Sequence, residues 1–114
     1  MHELAIAQGV IDQVSERLPG ERVTRVCLEI GSLSGVVADA LRFCFDLATE
    51  GTGLAGASLD ITETAARCRC RDCGSEFMPD GLLPLCPCGS ADVLVLSGED
   101  LRIISVQVAA RAVR

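Results

Sequence analysis

Two closely spaced cysteine pairs constrain this chain more than any other feature. Cys70-Arg71-Asp72-Cys73-Gly74 sets two thiols at i and i+3, followed by a glycine that permits a tight backbone turn. Cys86-Pro87-Cys88-Gly89 repeats the pattern with one residue fewer between the thiols. Twelve residues separate the pairs, enough for a hairpin that brings both to one point. Four thiolates around a tetrahedral ion favour Zn(II), with an iron–sulfur cluster as the lesser alternative. Such a set is closed, so the metal expected is structural and coupled to the folding of residues 67–98. Cys68 lies two residues before Cys70 and either replaces Cys86 as a ligand or stands aside. Cys27 and Cys44 fall inside an expected strand and an expected helix, where a free cysteine behaves as a small hydrophobe.

The rest of the 114 residues has to supply a core without large aromatics: hydrophobic residues make up 49%, aromatics 3%, and there is no Trp or Tyr. An aliphatic α+β core follows. Residues 3–18 carry Leu4, Ala7, Ile11, Val14 and Leu18 on one helical stripe, and Pro19-Gly20 ends it. Arg22–Ile30 alternates as a strand, with Val26, Leu28 and Ile30 on one side. Gly31–Gly35 is a loop, and residues 37–49 form a second helix with Val37, Leu41, Cys44, Phe45 and Ala48 on one face. A glycine-rich turn from Gly51 to Gly56 leads into a strand over Ser58–Thr64, and Leu101–Ala109 is a third, β-branched strand. The expected architecture is a small α/β domain, two helices on a three-stranded sheet. It comprises residues 1–66, completed by the strand in 99–114, and a zinc-ribbon-like module at 67–98 is inserted between two strands of the sheet.

Charge and targeting narrow the function classes. The net charge is −6, and every basic residue is Arg. An acidic chain repels phosphate backbones, so no nucleic-acid partner is expected. Without Lys, the glycines of Glu50-Gly51-Thr52-Gly53 do not make a phosphate-binding P-loop. No signal-peptide pattern and no apolar run of the ~18 residues needed to span a bilayer are seen, so no membrane partner is expected. The expected compartment is the reducing cytoplasm, where seven cysteines point to metal rather than disulfides.

The single histidine is His2, between Met1 and Glu3. The plain reading is a frayed terminal residue. Its position suggests more. The imidazole and the His2 amide nitrogen close a chelate ring, with the Met1 amine and the Glu3 amide one residue to either side. A planar, nitrogen-rich set of this kind suits Ni(II) or Cu(II) rather than tetrahedral Zn(II).

Met1-His2-Glu3 before an amphipathic helix resembles the HypA/HybF family of hydrogenase nickel-incorporation proteins. Further resemblances are Ile30-Gly31-Ser32-Leu33-Ser34, Leu41-Arg42-Phe43-Cys44-Phe45-Asp46, Cys70-Arg71-Asp72-Cys73-Gly74-Ser75-Glu76-Phe77, Cys86-Pro87-Cys88-Gly89-Ser90 and Gly98-Glu99-Asp100-Leu101-Arg102-Ile103. The resemblance covers essentially the whole chain, and its order and spacing are highly specific. It implies a nickel metallochaperone that passes transient Ni(II), with a GTPase accessory protein of the HypB type, into the large subunit of [NiFe]-hydrogenase, and in some organisms serves urease. It implies nickel at Met1, His2 and Glu3, and structural zinc at Cys70, Cys73, Cys86 and Cys88. A carboxylate from the start of the second helix is a nickel ligand in some members. Asp39 is the nearest here, and its plainer role is a first-turn acid favoured by the helix dipole. The shortened Cys86-Pro87-Cys88 departs from the family's usual two intervening residues. The family supplies monomers and dimers, and a strand such as Leu101–Ala109 is able to pair or swap in a homodimer.

Two rivals come from other classes. A zinc-ribbon nucleic-acid or protein interaction module would use Arg67, Arg69 and Arg71 beside the first knuckle, but Phe77 is the sole stacking aromatic of that segment. A thiol oxidoreductase would place Cys70-x-x-Cys73 at the start of a helix, whereas Gly74 and a turn follow. Nothing in the chain suggests an enzyme.

Overall fold

The computed structural model describes residues 2–110. Eight elements follow one another: α1 (Glu3–Arg17), β1 (Val23–Gly31), α2 (Ala38–Ala48), β2 (Ser58–Thr64), β3 (Arg67–Cys70), β4 (Glu76–Phe77), β5 (Val93–Ser97) and β6 (Leu101–Val108). They form two three-stranded sheets, ordered β2-β1-β6 and β4-β3-β5. The chain divides into two compact units. Met1–Leu28, Val36–Ile61 and Ile103–Arg114 make the first, and Glu29–Gly35 with Thr62–Arg102 make the second.

In the first unit α1 and α2 pack against each other. Ala7, Val10, Ile11 and Val14 of α1 are buried, as are Leu41 and Phe45 of α2. The α1 set has the i, i+3, i+4, i+7 spacing of a single helical stripe. Leu4 and Val37, expected on the buried faces, are instead 53% and 59% exposed. Leu4 belongs to the first turn of α1, and Val37 caps α2 in an extended conformation, so neither reaches the packed stretch. The helix α1 stops where Leu18 donates to the Val14 carbonyl and Gly20 takes φ 75°. β1 buries Val26, Leu28 and Ile30 in period-two alternation, and Val23 at its start as well. The glycine-rich turn is tied back to the start of β1 through Val23 N–H to Gly53 O at 2.9 Å and Arg22 Nη2 to Ala55 O at 3.1 Å.

In the second unit β3 is the central strand, antiparallel to both neighbours. Cys68 pairs with Phe77 on one side and Val95 on the other, and Cys70 pairs with Val93. Period-two alternation buries Cys68 and Cys70 and exposes Arg67 and Arg69. Both guanidiniums close on one carboxylate, each at 2.8 Å from an oxygen of Glu76, which fixes the β3–β4 register. The loop at the end of β1 latches the base of this unit. Gly31 N–H donates to Asp100 O at 2.8 Å, Ser32 N–H to Thr64 O at 2.9 Å, and Leu33 N–H to Gly98 O at 2.8 Å. The Ser32 hydroxyl accepts from the Ala66 amide at 3.1 Å. Gly98 has φ 104°, and a side chain there would run into the Ala66 backbone, as one at Gly31 would run into the Gly98 carbonyl. Only glycine fits either place.

Candidate metal centres

The cysteine cluster is built by two similar loops. In the first, Cys70 N–H donates to Ser75 O at 2.9 Å and Gly74 N–H to Cys70 O at 2.9 Å, with Gly74 at φ 77°. In the second, Cys86 N–H donates to Ser90 O at 2.9 Å and Gly89 N–H to Cys86 O at 2.8 Å, with Gly89 at φ 95°. Each loop turns an amide onto its first sulfur: Cys73 N–H to Cys70 Sγ at 3.4 Å, and Cys88 N–H to Cys86 Sγ at 3.5 Å. The Ser90 hydroxyl donates to Asp72 and so joins the two loops directly.

The sulfurs of Cys70, Cys73, Cys86 and Cys88 all lie within 4.8 Å of one another. Cys70 to Cys88 is 3.7 Å and Cys73 to Cys86 is 3.6 Å. A tetrahedral ion with ~2.3 Å metal–sulfur bonds requires sulfur–sulfur edges of about 3.8 Å, so the four residues fit such an ion. Four thiols this close cannot all ionise unaided. Hydrogen bonds, the largest from the Ser75 hydroxyl, bring Cys73 down to about 6. At Cys88 the Ser90 amide pulls the value down, but the Cys86 and Cys70 sulfurs outweigh it and push it up to about 12. A central cation removes that conflict by stabilising all four thiolates together.

Cys68 is fully buried and is not among the clustered sulfurs. Burial, then the Glu99 carboxylate, pushes its thiol up, which keeps it protonated. Cys86 is the buried third member of the cluster. Arg71, like Arg67 and Arg69, faces a carboxylate, at 3.5 Å from Asp92. The three arginines suspected of touching phosphate are therefore each paired with an acid.

At the other candidate site, Met1 lies outside the described residues. His2 is exposed and caps α1 with its carbonyl, which accepts the Ile6 amide at 2.9 Å. Glu3 opens the helix, and its carboxylate accepts the Val37 amide at the start of α2, at 3.2 Å. That bond, before any other cause, holds the Glu3 carboxyl below the usual range. His2, Glu3, Leu4, Ala5 and Gln8 line an open cleft of about 600 Å³ together with Ala40 and Cys44 of α2. Asp39 is not part of that lining; its carboxylate pairs with Arg42 at 3.1 Å, within the first turn of α2. Cys44 is half-buried at the cleft rather than in the core, and half-buried Cys27 points its thiol at Asp60, 4.0 Å away. The Glu3–Val37 bond and the cleft lining on α2 were missed by sequence reasoning, because nothing local relates residues 34 apart.

The family model described as hydrogenase/urease nickel-incorporation metallochaperone HypA matches residues 1–108. The chain belongs to the HypA family. Its relatives include hydrogenase maturation factor HypA of Nostoc punctiforme, 44% identical over 95% of this chain and 96% of that protein. The same factor of Geotalea uraniireducens is 49% identical over 95% of this chain and 99% of the relative. Among solved structures, the solution structure of the Ni metallochaperone HypA from Helicobacter pylori has a TM-score of 0.65 at 24% identity, covering 97% of this chain and all of that one. That likeness concerns the fold, and it bears out the α+β expectation of two helices, a three-stranded sheet and a cysteine-bearing module. HypA proteins are metallochaperones for nickel incorporation and not enzymes. Membership ties this chain to the machinery of hydrogenase maturation. Among the described residues, no helix is long and apolar enough to cross a membrane.

Proposed function

We propose that this HypA-family chain binds Ni(II) at its first three residues and hands it over for [NiFe]-hydrogenase maturation, while a structural Zn(II) holds the cysteine module. The observation that carries the nickel reading is the placement of His2. Its imidazole is exposed at the edge of a cleft, at the one point of α1 where backbone nitrogens have no helical acceptor. Those nitrogens, with the imidazole, form a planar set suited to Ni(II). Met1 contributes its amine and Glu3 its amide, and the Glu3 carboxylate anchors the strand of ligands to α2 through Val37. Few, exposed ligands let a receiving protein take the ion by ligand exchange. The binding weakens as pH falls, because protons compete for the same nitrogens.

The zinc reading rests on the tetrahedral spacing of Cys70, Cys73, Cys86 and Cys88. On this reading residues 67–98 are a zinc-dependent module, inserted into a nickel-binding domain of residues 1–66 and 99–114. The partners are a GTPase accessory protein of the HypB type and the hydrogenase large subunit, all in the cytoplasm. Equilibrium dialysis with Ni(II) tests the site. His2→Ala loses stoichiometric nickel while its zinc content and circular dichroism stay as in the parent, and equal nickel uptake by that variant rejects the proposal. Elemental analysis of untagged protein should find one zinc per chain before nickel loading.

A further inference from the structure

The sequence Cys-Gly-Ser occurs twice, after each second thiol of the cluster, at 73–75 and 88–90. The two copies share one backbone design: the serine carbonyl accepts the amide of the first cysteine at 2.9 Å, and the glycine takes a positive φ. Their hydroxyls part company. Ser90 Oγ donates to Asp72 and accepts the Asp92 amide at 3.0 Å. Ser75 Oγ sits 2.9 Å from Cys73 Sγ and 3.9 Å from Cys86 Sγ, over one edge of the sulfur tetrahedron. Among the described residues it is the one hydroxyl within hydrogen-bonding distance of the cluster.

We propose that Ser75 is a positioning residue of the metal centre, whose hydroxyl donates to the Cys73 thiolate and sets both its orientation and its electron donation to the metal. This rests on the reading that the four cysteines hold a metal. A metal-bound thiolate has no proton to give, so the hydroxyl is the donor in this pair. A divalent ion inside four thiolates leaves the centre anionic, and each donated hydrogen bond spreads that charge. The bond also matters for geometry. Cys73 is exposed, unlike Cys70 and Cys86, so neighbouring side chains do little to fix its rotamer. Ser75 itself is held in place, its carbonyl bound by the Cys70 amide. In the folded loop that backbone bond places the hydroxyl beside the Cys73–Cys86 edge. The second loop has no counterpart, because Asp72 claims the Ser90 hydroxyl. The four ligands are therefore inequivalent, and Cys73 is the one whose donation a side chain controls.

The test uses full-length protein stripped of zinc and refilled with Co(II), whose sulfur-to-metal charge-transfer band reports the electron density on the thiolates. A hydrogen bond lowers the energy of the sulfur lone pair, so Ser75→Ala moves that band to longer wavelength. The same variant loses about tenfold in zinc affinity against a chromophoric chelator. Ser75→Thr, which keeps a hydroxyl, restores both. Ser90→Ala leaves the band where it is, whatever it does to affinity. A Ser75→Ala protein with the tetrahedral Co(II) spectrum, an unmoved band and unchanged affinity overturns the role of Ser75 while leaving the metal centre standing. A Ser75→Thr protein that behaves like the alanine variant also overturns it. Absence of any charge-transfer band in the parent overturns the cysteine centre itself, and this role with it.

Discussion

On the proposed zinc reading, stripping the metal with a tight chelator at neutral pH should unfold β3 and β5 with their cysteine loops while the helices persist. Within residues 67–98 the buried apolar side chains are Cys68, Cys70 and Cys86. Met78, Leu82, Leu83, Leu85, Leu94 and Leu96 are 41–77% exposed. At ~1.5 kcal/mol each, the low end for a fully buried aliphatic side chain, the three cysteines contribute about 4–5 kcal/mol. Ordering the nine residues of β3 and β5 costs about 9–18 kcal/mol at ~1–2 kcal/mol per residue. Burial therefore falls short by roughly 5–13 kcal/mol for those nine residues alone, and structural zinc, worth ~10–16 kcal/mol in small modules at neutral pH, is a term of that size.

Hydrogen exchange read by mass spectrometry is the assay, since a chain without Trp or Tyr offers no useful intrinsic fluorescence. Peptides spanning β3 and β5 should lose protection by about a thousandfold or more on metal removal, the factor a ~5 kcal/mol deficit implies. Peptides from α1 should keep theirs, because its buried partners lie in α2. Retained protection of β3 and β5 in protein shown by elemental analysis to be zinc-free would refute the reasoning, for it would mean that burial and hydrogen bonds suffice alone.

Two further outcomes follow from the same structure. Phe45→Ala removes a fully buried ring of α2 and should cost about 3–5 kcal/mol, read as a fall in the thermal midpoint of roughly 10 °C or more. Glu76→Gln should speed amide exchange at Phe77 and Cys68, because Glu76 joins Arg67 and Arg69 across the β3–β4 register. Arg69 first, then Arg67, holds the Glu76 carboxyl below its ordinary 4.5. A depressed folded-state value means that the stabilisation is complete above 4.5 and is lost as pH falls through the lowered value. Between about pH 6 and 8 the gap between variant and parent should accordingly stay constant, and a gap that closes within that window would place the effect elsewhere.

The parts of the fold that could be read in the sequence are those governed by local periodicity or ligand spacing. Val26, Leu28 and Ile30 alternate because successive side chains of β1 point to opposite faces and one face is the more buried, and burial follows the alternation. The four clustered cysteines stand at intervals that a metal-binding loop demands, and the structure gathers those same four. Helix faces were legible in angle and not in extent. Leu4 shares the direction of Ala7 and Ile11, but a stripe does not say how closely the partner helix packs along it, and Leu4 lines the open cleft instead of the core. Cys44 is half-buried, in line with the expected packing of a small hydrophobe, and its position on α2 lies beside that same opening. Contacts that join distant residues left no local trace. The Glu3–Val37 bond and the Ser32–Ala66 latch are set by tertiary packing, and the two Cys-Gly-Ser loops are identical in sequence while their hydroxyls take different partners.

If nickel binds at the terminus and zinc at the cysteines, as proposed, keeping the two apart in one short chain is a problem of geometry more than of affinity. Nickel and zinc stand on either side of copper in the order of divalent affinities, so raw ligand strength alone separates them poorly. The cysteine loops answer with shape. Cys70 ends β3, and the Ser90–Asp72 bond ties the second loop to the first, so in the folded module the sulfurs are held at the spacing of a tetrahedral ion. A planar ion there would have to spread sulfurs now 3.6–3.7 Å apart against those restraints. The terminus imposes the opposite condition. Consecutive backbone nitrogens and the His2 imidazole can close chelate rings only in or near one plane, which a tetrahedral ion does not accept. On this account, loosening the loops should cost selectivity before it costs binding. Ser90→Ala protein loaded from an equimolar mixture of zinc and nickel should carry more nickel at its cysteines than the parent does. An unchanged metal ratio in that competition would mean that ligand chemistry, and not loop rigidity, keeps the two ions in their places.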